Sequence, residues 1–239
     1  MMDAGQGREK PEWAAARAEN RRLTSPDARY GARLRRRSSA SALLAAVIDA
    51  ERANLDDTMN ALRADGSLER AAARIVAARR RFILGSAKSG AHATLLHLEL
   101  SASLAGVTLI DEASVRAIDV LSDVRPTDVL VAFSFRRYAR HTITVAREFA
   151  GAGGQVVAVT DDADSPLARV ADGSGHTPVV VGTGSASYAD SPTAVSAVVH
   201  ALATLTAASA KGARRRLARR EHLARVLSTY SEEGTGGEG

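Results

Sequence analysis

The ten residues Arg81 to Gly90, RFILGSAKSG, constrain the fold more than any other stretch of this chain. Phe82, Ile83 and Leu84 form a short apolar run that stops at Gly85, and the small or polar residues Ser86, Ala87, Ser89 and Gly90 lead into an apolar helical segment. An apolar run this short, closed by glycine, reads as a strand, a tight turn and a helix start. Such a connection aims free backbone N–H groups and the positive end of a helix dipole at the space beyond the strand, where an anion can sit. It is equally an ordinary way to join the first strand of an α/β domain to its first helix, and the stretch alone leaves both readings open.

Downstream the pattern alternates. Val107 to Ile110, Asp128 to Phe133, Gln155 to Thr160 and Thr177 to Val181 read as strands, and Asp128 to Phe133 is almost continuously apolar, as expected where both sheet faces are covered. Between them lie helical patterns from His92 to Ala105, Tyr138 to Ala150, Ser165 to Ala171 and Pro192 to Ala208, with a helical turn at Val115 to Leu121. This alternation predicts an α/β fold: a doubly wound, three-layer αβα sandwich on a five-stranded parallel sheet, with helices added at the N- and C-terminal ends. Ligands of such sheets bind beyond the carboxyl ends of the strands. The loops Gly85 to Gly90 and Ser134 to Tyr138 should then face one crevice.

The flanks differ from this middle. Residues 1–40 are rich in Ala and Arg, with ten basic and five acidic side chains, and 211–229 hold seven basic residues against one acid. The central part is therefore slightly acidic, and the overall charge of +5 comes from the ends. Basic ends attract anionic surfaces or nucleic acid, and flanking charge also simply solvates. We expect 1–40 to be a basic, partly disordered arm with one short helix at Trp13 to Arg22, a turn at Ser25-Pro26-Asp27 and a charge cluster at Arg33 to Arg37. Helices are expected from Ser41 to Arg63 and from Ser67 to Ala78, as linker helices of 41–80. The main domain should span 81–210, followed by a basic helix in 211–230 and a disordered tail in 231–239. No cysteine occurs, so disulfides and thiolate metal sites are excluded. The polar N-terminus shows no signal peptide and no run reaches the ~20 apolar residues of a membrane span, so a cytoplasmic location is expected.

At this point the order of motifs resembles a sugar isomerase (SIS) domain, a flavodoxin-like fold, and specifically the effector domain of the MurR/RpiR family of bacterial transcription regulators. The resemblance rests on FILGSAKSG at 82–90, DVLVAFS at 128–134, GGQVVAVTDDADSPLARVAD at 153–172 and SPTAVSAVVHAL at 191–202, with ERANLDDTMNAL at 51–62 similar to the segment preceding that domain. It implies a dimerising, non-enzymatic sensor of a phosphosugar or related anionic metabolite, with no cofactor. A sugar-phosphate isomerase of the same fold is the alternative. The N-terminal helix-turn-helix domain usual in that family is not recognisable in 1–40, so specific DNA binding is expected only if such a domain is supplied.

The family's two phosphate turns, Gly-x-Gly-x-Ser and Ser-x-Ser-Gly-x-Thr, carry over in part. Gly85 and Ser89 match the first, and Ala87 replaces its second glycine. Ser134 matches the second, where Arg136, Arg137 and Ala139 replace serine, glycine and threonine. The candidate ligand residues are Gly85, Ser86, Lys88, Ser89, Ser134, Arg136, Arg137, Thr142 and Ser191. Arginine forks bind carboxylate or phosphate. Alternatively, Arg136, Arg137 and Arg140 turn outward or meet acids of a partner subunit. No catalytic residue or metal site is expected. His141, where the family often has Glu, is the histidine placed nearest the crevice, and Asp161, Asp162 and Asp164 read as turn and cap residues rather than a metal loop.

Overall fold

The computed structural model describes residues 25–34, 39–172 and 175–229. The expected helix at Trp13 to Arg22, most of the Arg33 to Arg37 cluster and the tail lie outside the described residues. Helix α1 (Pro26–Leu34) begins where a turn was expected. Ser25 accepts the Ala28 N–H through its hydroxyl at 3.0 Å, and Pro26 fills the first helical position. Proline's fixed φ and missing N–H suit a helix start as well as a turn.

Helix α2 (Ala40–Asp65) is capped by Ser39 and ends at Gly66, whose N–H still bonds the Leu62 carbonyl and whose left-handed φ of 64° turns the chain out of the helix. Helix α3 (Ser67–Ala77) follows at once and leads into strand β1 (Arg80–Gly85). Arg81 secures that junction. Its buried guanidinium donates to the carbonyls of Ile75, Val76 and Ala105, closing the orphaned end of α3, and burial lowers its pKa.

The remaining elements are α4 (Lys88–Ser103), β2 (Val107–Ile110), α5 (Ala117–Leu121), β3 (Asp128–Phe133), α6 (Arg140–Gly151), β4 (Gln155–Thr160), α7 (Pro166–Val170), β5 (Thr177–Val180), α8 (Thr193–Ser209) and α9 (Ala213–Val226). All five strands are parallel, in the order β2-β1-β3-β4-β5. Side chains alternate between faces as the two-residue period requires. Ile83, Val131, Phe133, Val157 and Val159 pack under α3, α4 and α8, while Phe82, Leu84, Leu130, Ala132 and Val156 pack under α5, α6 and α7. The three layers follow from that alternation, each fully buried Leu or Phe contributing roughly 1.5–3 kcal/mol.

At the opposite end of the sheet from the turns, the fully buried Asp128 carboxylate is held by Arg80 at 2.6 Å and by the Arg125 N–H at 2.8 Å. The hydrogen bonds that Arg80 donates to Asp128 and Asp123 raise its pKa. No single described helix is long and apolar enough to cross a membrane.

Candidate functional site

The strand order reverses direction at β1. The connection through α4 carries the chain to β2 on one side, while β3 lies on the other, so the loops after β1 and β3 part and leave a crevice between them. A cavity of about 250 Å³ occupies that place, lined on the β1 side by Ser86, Ala87, Lys88, Ser89 and His92. Ser134, Phe135, Arg136, Arg137 and Ala139 line the β3 side, and Thr183, Asp190, Ser191 and Val195 a third wall. Pro26 and Arg29 of α1 complete it.

On the β1 side the turn is tighter than the sequence pattern suggests. Helix α4 starts at Lys88, not at His92, so Lys88, Ser89 and Gly90 form its first turn. The Ser89 and Gly90 N–H groups bond back to Ser86 and Ala87, and among the described residues no backbone carbonyl accepts from the N–H groups of Ser86, Ala87 or Lys88. Those three residues line the crevice, and the positive end of a 16-residue helix dipole begins there. Gly85 does not line the cavity. A Cβ on it would lie 2.4 Å from the Ser89 carbonyl oxygen, so its role is to let the first turn of α4 approach. Ala87, which stands where the resembled turn has glycine, keeps a conformation glycine prefers, φ 52° and ψ −127°. A non-glycine residue held there carries strain of order 1–3 kcal/mol.

The candidate hydroxyls divide. Ser89 lines the cavity and bonds no other described side chain, but Ser86 shares a 2.8 Å hydrogen bond with Thr142. Thr142 itself is fully buried beneath the turn, outside the lining. Ser134 is pinned three ways. Its N–H donates to Val159, its carbonyl accepts from the Thr160 hydroxyl at 2.9 Å, and its hydroxyl accepts the Ala139 N–H at 3.2 Å. Ser191 donates to the Glu51 carboxylate and accepts from the Thr193 N–H.

The cations divide as well. Lys88 Nζ donates to the Asp190 carbonyl. Arg136 turns toward acids of its own chain, 3.8 Å from Asp161 and 3.7 Å from Asp162. Asp161, at the bend after β4, is thus also a buried partner of Arg136, and Asp162 accepts the Asp164 N–H as a turn carboxylate does. Burial raises the Asp161 pKa against the pull of Arg136 and Tyr138, and burial beside Asp161 pushes the Tyr138 hydroxyl up to about 12. Arg137 is exposed, with no carboxylate partner among the described residues, and lines both this crevice and a wider open hollow of about 610 Å³ shared with Arg140 and Asp164.

Histidine placement differs from expectation. His141 is exposed and lies 2.9 Å from Glu112, away from the lining, while His92 sits in the crevice wall at 7% exposure, edge-on to Phe135. Burial, and secondarily Lys88, lower the His92 pKa, which favours a neutral ring. Its signal in the sequence was its spacing, four residues beyond Lys88 on the same helix face. Arg29 and Asp190, a 2.6 Å pair in the lining, have no comparable local signal because they are far apart in sequence. Among the described residues no group of three or more His, Asp or Glu is placed to hold a metal ion.

A family model, described as the SIS domain, matches residues 74–205, more than half of the chain. The chain belongs to the SIS domain family. Among solved structures, this SIS domain is similar to the sugar isomerase domain of an RpiR transcription factor from Sphaerobacter thermophilus, at 28% identity and a TM-score of 0.67, over 75% of this chain and 96% of that one. The NanR protein of Vibrio vulnificus, solved as a complex with ManNAc-6P, shares the fold at 16% identity and a TM-score of 0.61, covering 76% and 70% of the two chains. A phosphoheptose isomerase from Francisella tularensis does so at 13% identity and 0.58, covering 71% and 98%. No curated protein matches the sequence. SIS folds thus serve both regulators and isomerases, and the choice between them rests on the crevice.

Proposed function

We propose that this SIS domain is the ligand-sensing part of an RpiR-type transcription regulator in the cytoplasm, and that its crevice binds a small anionic metabolite, a phosphosugar or a carboxylate. The observation that carries the reading is the convergence of Lys88, Ser89 and N–H groups that no described backbone carbonyl accepts, at the start of α4, in one cavity at the switch point. These groups present positive potential to an anion without a proton-transfer partner among them. Asp190, the carboxylate of the lining, is held by Arg29, and Glu51 by Ser191. The likeness to the Sphaerobacter regulator domain supports the regulatory role. Homodimerisation is part of the proposal. Leu44 and Ile48 on α2, Leu98 on α4, and Leu217 and Val226 on α9 are exposed apolar side chains that a second copy would cover. Specific DNA contact is expected only where a helix-turn-helix domain is supplied, while the basic ends give sequence-independent, salt-sensitive attraction.

Calorimetric titration with a panel of sugar phosphates and organic acids tests the reading. Saturable binding to at least one member, lost in Lys88→Ala, is expected; silence across the panel would overturn it. One observation favours the isomerase alternative: His92 is a ring held toward neutrality in the crevice wall, as a general base would be. Turnover of a ketose/aldose phosphate pair that His92→Gln abolishes would establish that reading instead.

A further inference from the structure

Helix α1 meets the rest of the molecule in a manner at odds with its sequence. A surface helix normally buries an apolar stripe, but among residues 26–32 the side chain that α1 buries is Arg29, at 3% exposure. The guanidinium enters the crevice and its Nη1 donates to Asp190 Oδ1 at 2.6 Å. The next residue, Tyr30, rests against Tyr188, with ring centroids 6.4 Å apart. Both partners belong to the segment 182–191 between β5 and α8. That segment is fastened from the α2 side, where Thr58 accepts the Gly182 N–H, Asn54 donates to the Gly184 carbonyl and Glu51 accepts from Ser191.

Asp190 is consequently a fixed point, and two cations converge on it: Arg29 on its carboxylate and Lys88 on its carbonyl. Both cations line the cavity that also receives the N–H groups at the start of α4. The carboxylate, held by Arg29 in the lining of that cavity, already takes a cation that an incoming anion would seek. Carboxylate and phosphate are interchangeable acceptors for a guanidinium fork. An anion approaching Asp190 is repelled by it and attracted by Arg29, and such interactions strengthen away from bulk water.

Resting on the reading of the crevice as an anion site, we infer that Asp190 is a built-in stand-in for the ligand's anionic group. When a phosphate or carboxylate enters, Arg29 passes from Asp190 to it. Helix α1 is thereby part of the binding site and responds to its occupancy.

The test uses the full chain, titrated calorimetrically with inorganic phosphate and with glucose 6-phosphate, alongside amide hydrogen exchange over residues 26–34. Arg29→Ala should weaken binding at least about tenfold, the loss of one charge-assisted hydrogen bond. Asp190→Asn should tighten it by roughly threefold or more, since a competitor and a like charge are removed. In the wild-type chain, α1 amides should exchange more slowly once the probe is bound, a readout that needs no variant to fold. Unchanged affinity in Arg29→Ala, weakened binding in Asp190→Asn, or α1 exchange indifferent to bound probe would each overturn the inference while leaving the crevice reading intact. Wild-type protein that binds neither probe would overturn the reading and the inference together.

Discussion

The two loops that border the crevice are built from similar lengths of chain after adjacent strands, yet they spend their polar groups differently. After β1, among the described residues no backbone carbonyl takes the N–H groups of Ser86, Ala87 and Lys88 and no side chain bonds the Ser89 hydroxyl, and all four residues line the cavity. After β3, Ser134 is pinned by three hydrogen bonds and Arg136 is drawn back to Asp161 and Asp162. A loop whose donors are already satisfied has less to offer a ligand, since binding must first break internal contacts. The β1 side is therefore the receiving half of the site, and the β3 side is chiefly its wall, with exposed Arg137 at the rim.

Substitutions can break this contrast. The largest effect is expected of Gly85→Ala, whose Cβ would collide with the Ser89 backbone at 2.4 Å. A loss of about 3 kcal/mol, read by urea unfolding, is the scale of an overpacked core. Arg136→Ala should follow, at about 2 kcal/mol, because it removes the cation paired with the buried Asp161 carboxylate at 3.8 Å. Adding Asp161→Asn should recover most of that loss, which an outward-turned, solvating Arg136 would not show. In the other direction, Ala87→Gly should raise stability by about 1 kcal/mol, as relief of the φ 52° strain exceeds the added freedom of the unfolded chain.

The smallest effect concerns pH. Burial and Lys88 hold the His92 pKa below the ordinary histidine range, so on acidification the unfolded chain binds this proton first. Its contribution to stability is present above about pH 6.5, falls as the pH drops below that, and levels once the folded ring also titrates. His92→Gln should flatten that part of a melting-temperature profile; an unchanged profile would assign the acid sensitivity elsewhere.

The sheet was legible because buried parallel strands leave continuous apolar runs, and Asp128 to Phe133 and Gln155 to Thr160 could hardly be anything else. The two crevice loops were likewise placed by topology alone. What the sequence concealed were contacts made across it. The partners of Arg136 lie 25 and 26 positions on, at Asp161 and Asp162, and Arg29 meets a residue 161 positions away. Local pattern also misplaced the start of α4, since Lys88-Ser89-Gly90 reads as loop by composition but is wound into the helix once Gly85 lets it approach. His92 was passed over in favour of His141 for the same reason: shifting the helix start moves which histidine stands one turn inside the crevice.

The direct test of the central contrast is a pair of calorimetric titrations with the same sugar phosphate, on Lys88→Ala and on folded Arg136→Ala. The account predicts that Lys88→Ala weakens binding by about tenfold or more with little change in stability, while Arg136→Ala keeps affinity within about threefold of wild type despite its lower stability. Binding lost in Arg136→Ala and retained in Lys88→Ala would place the anion on the β3 side and contradict it.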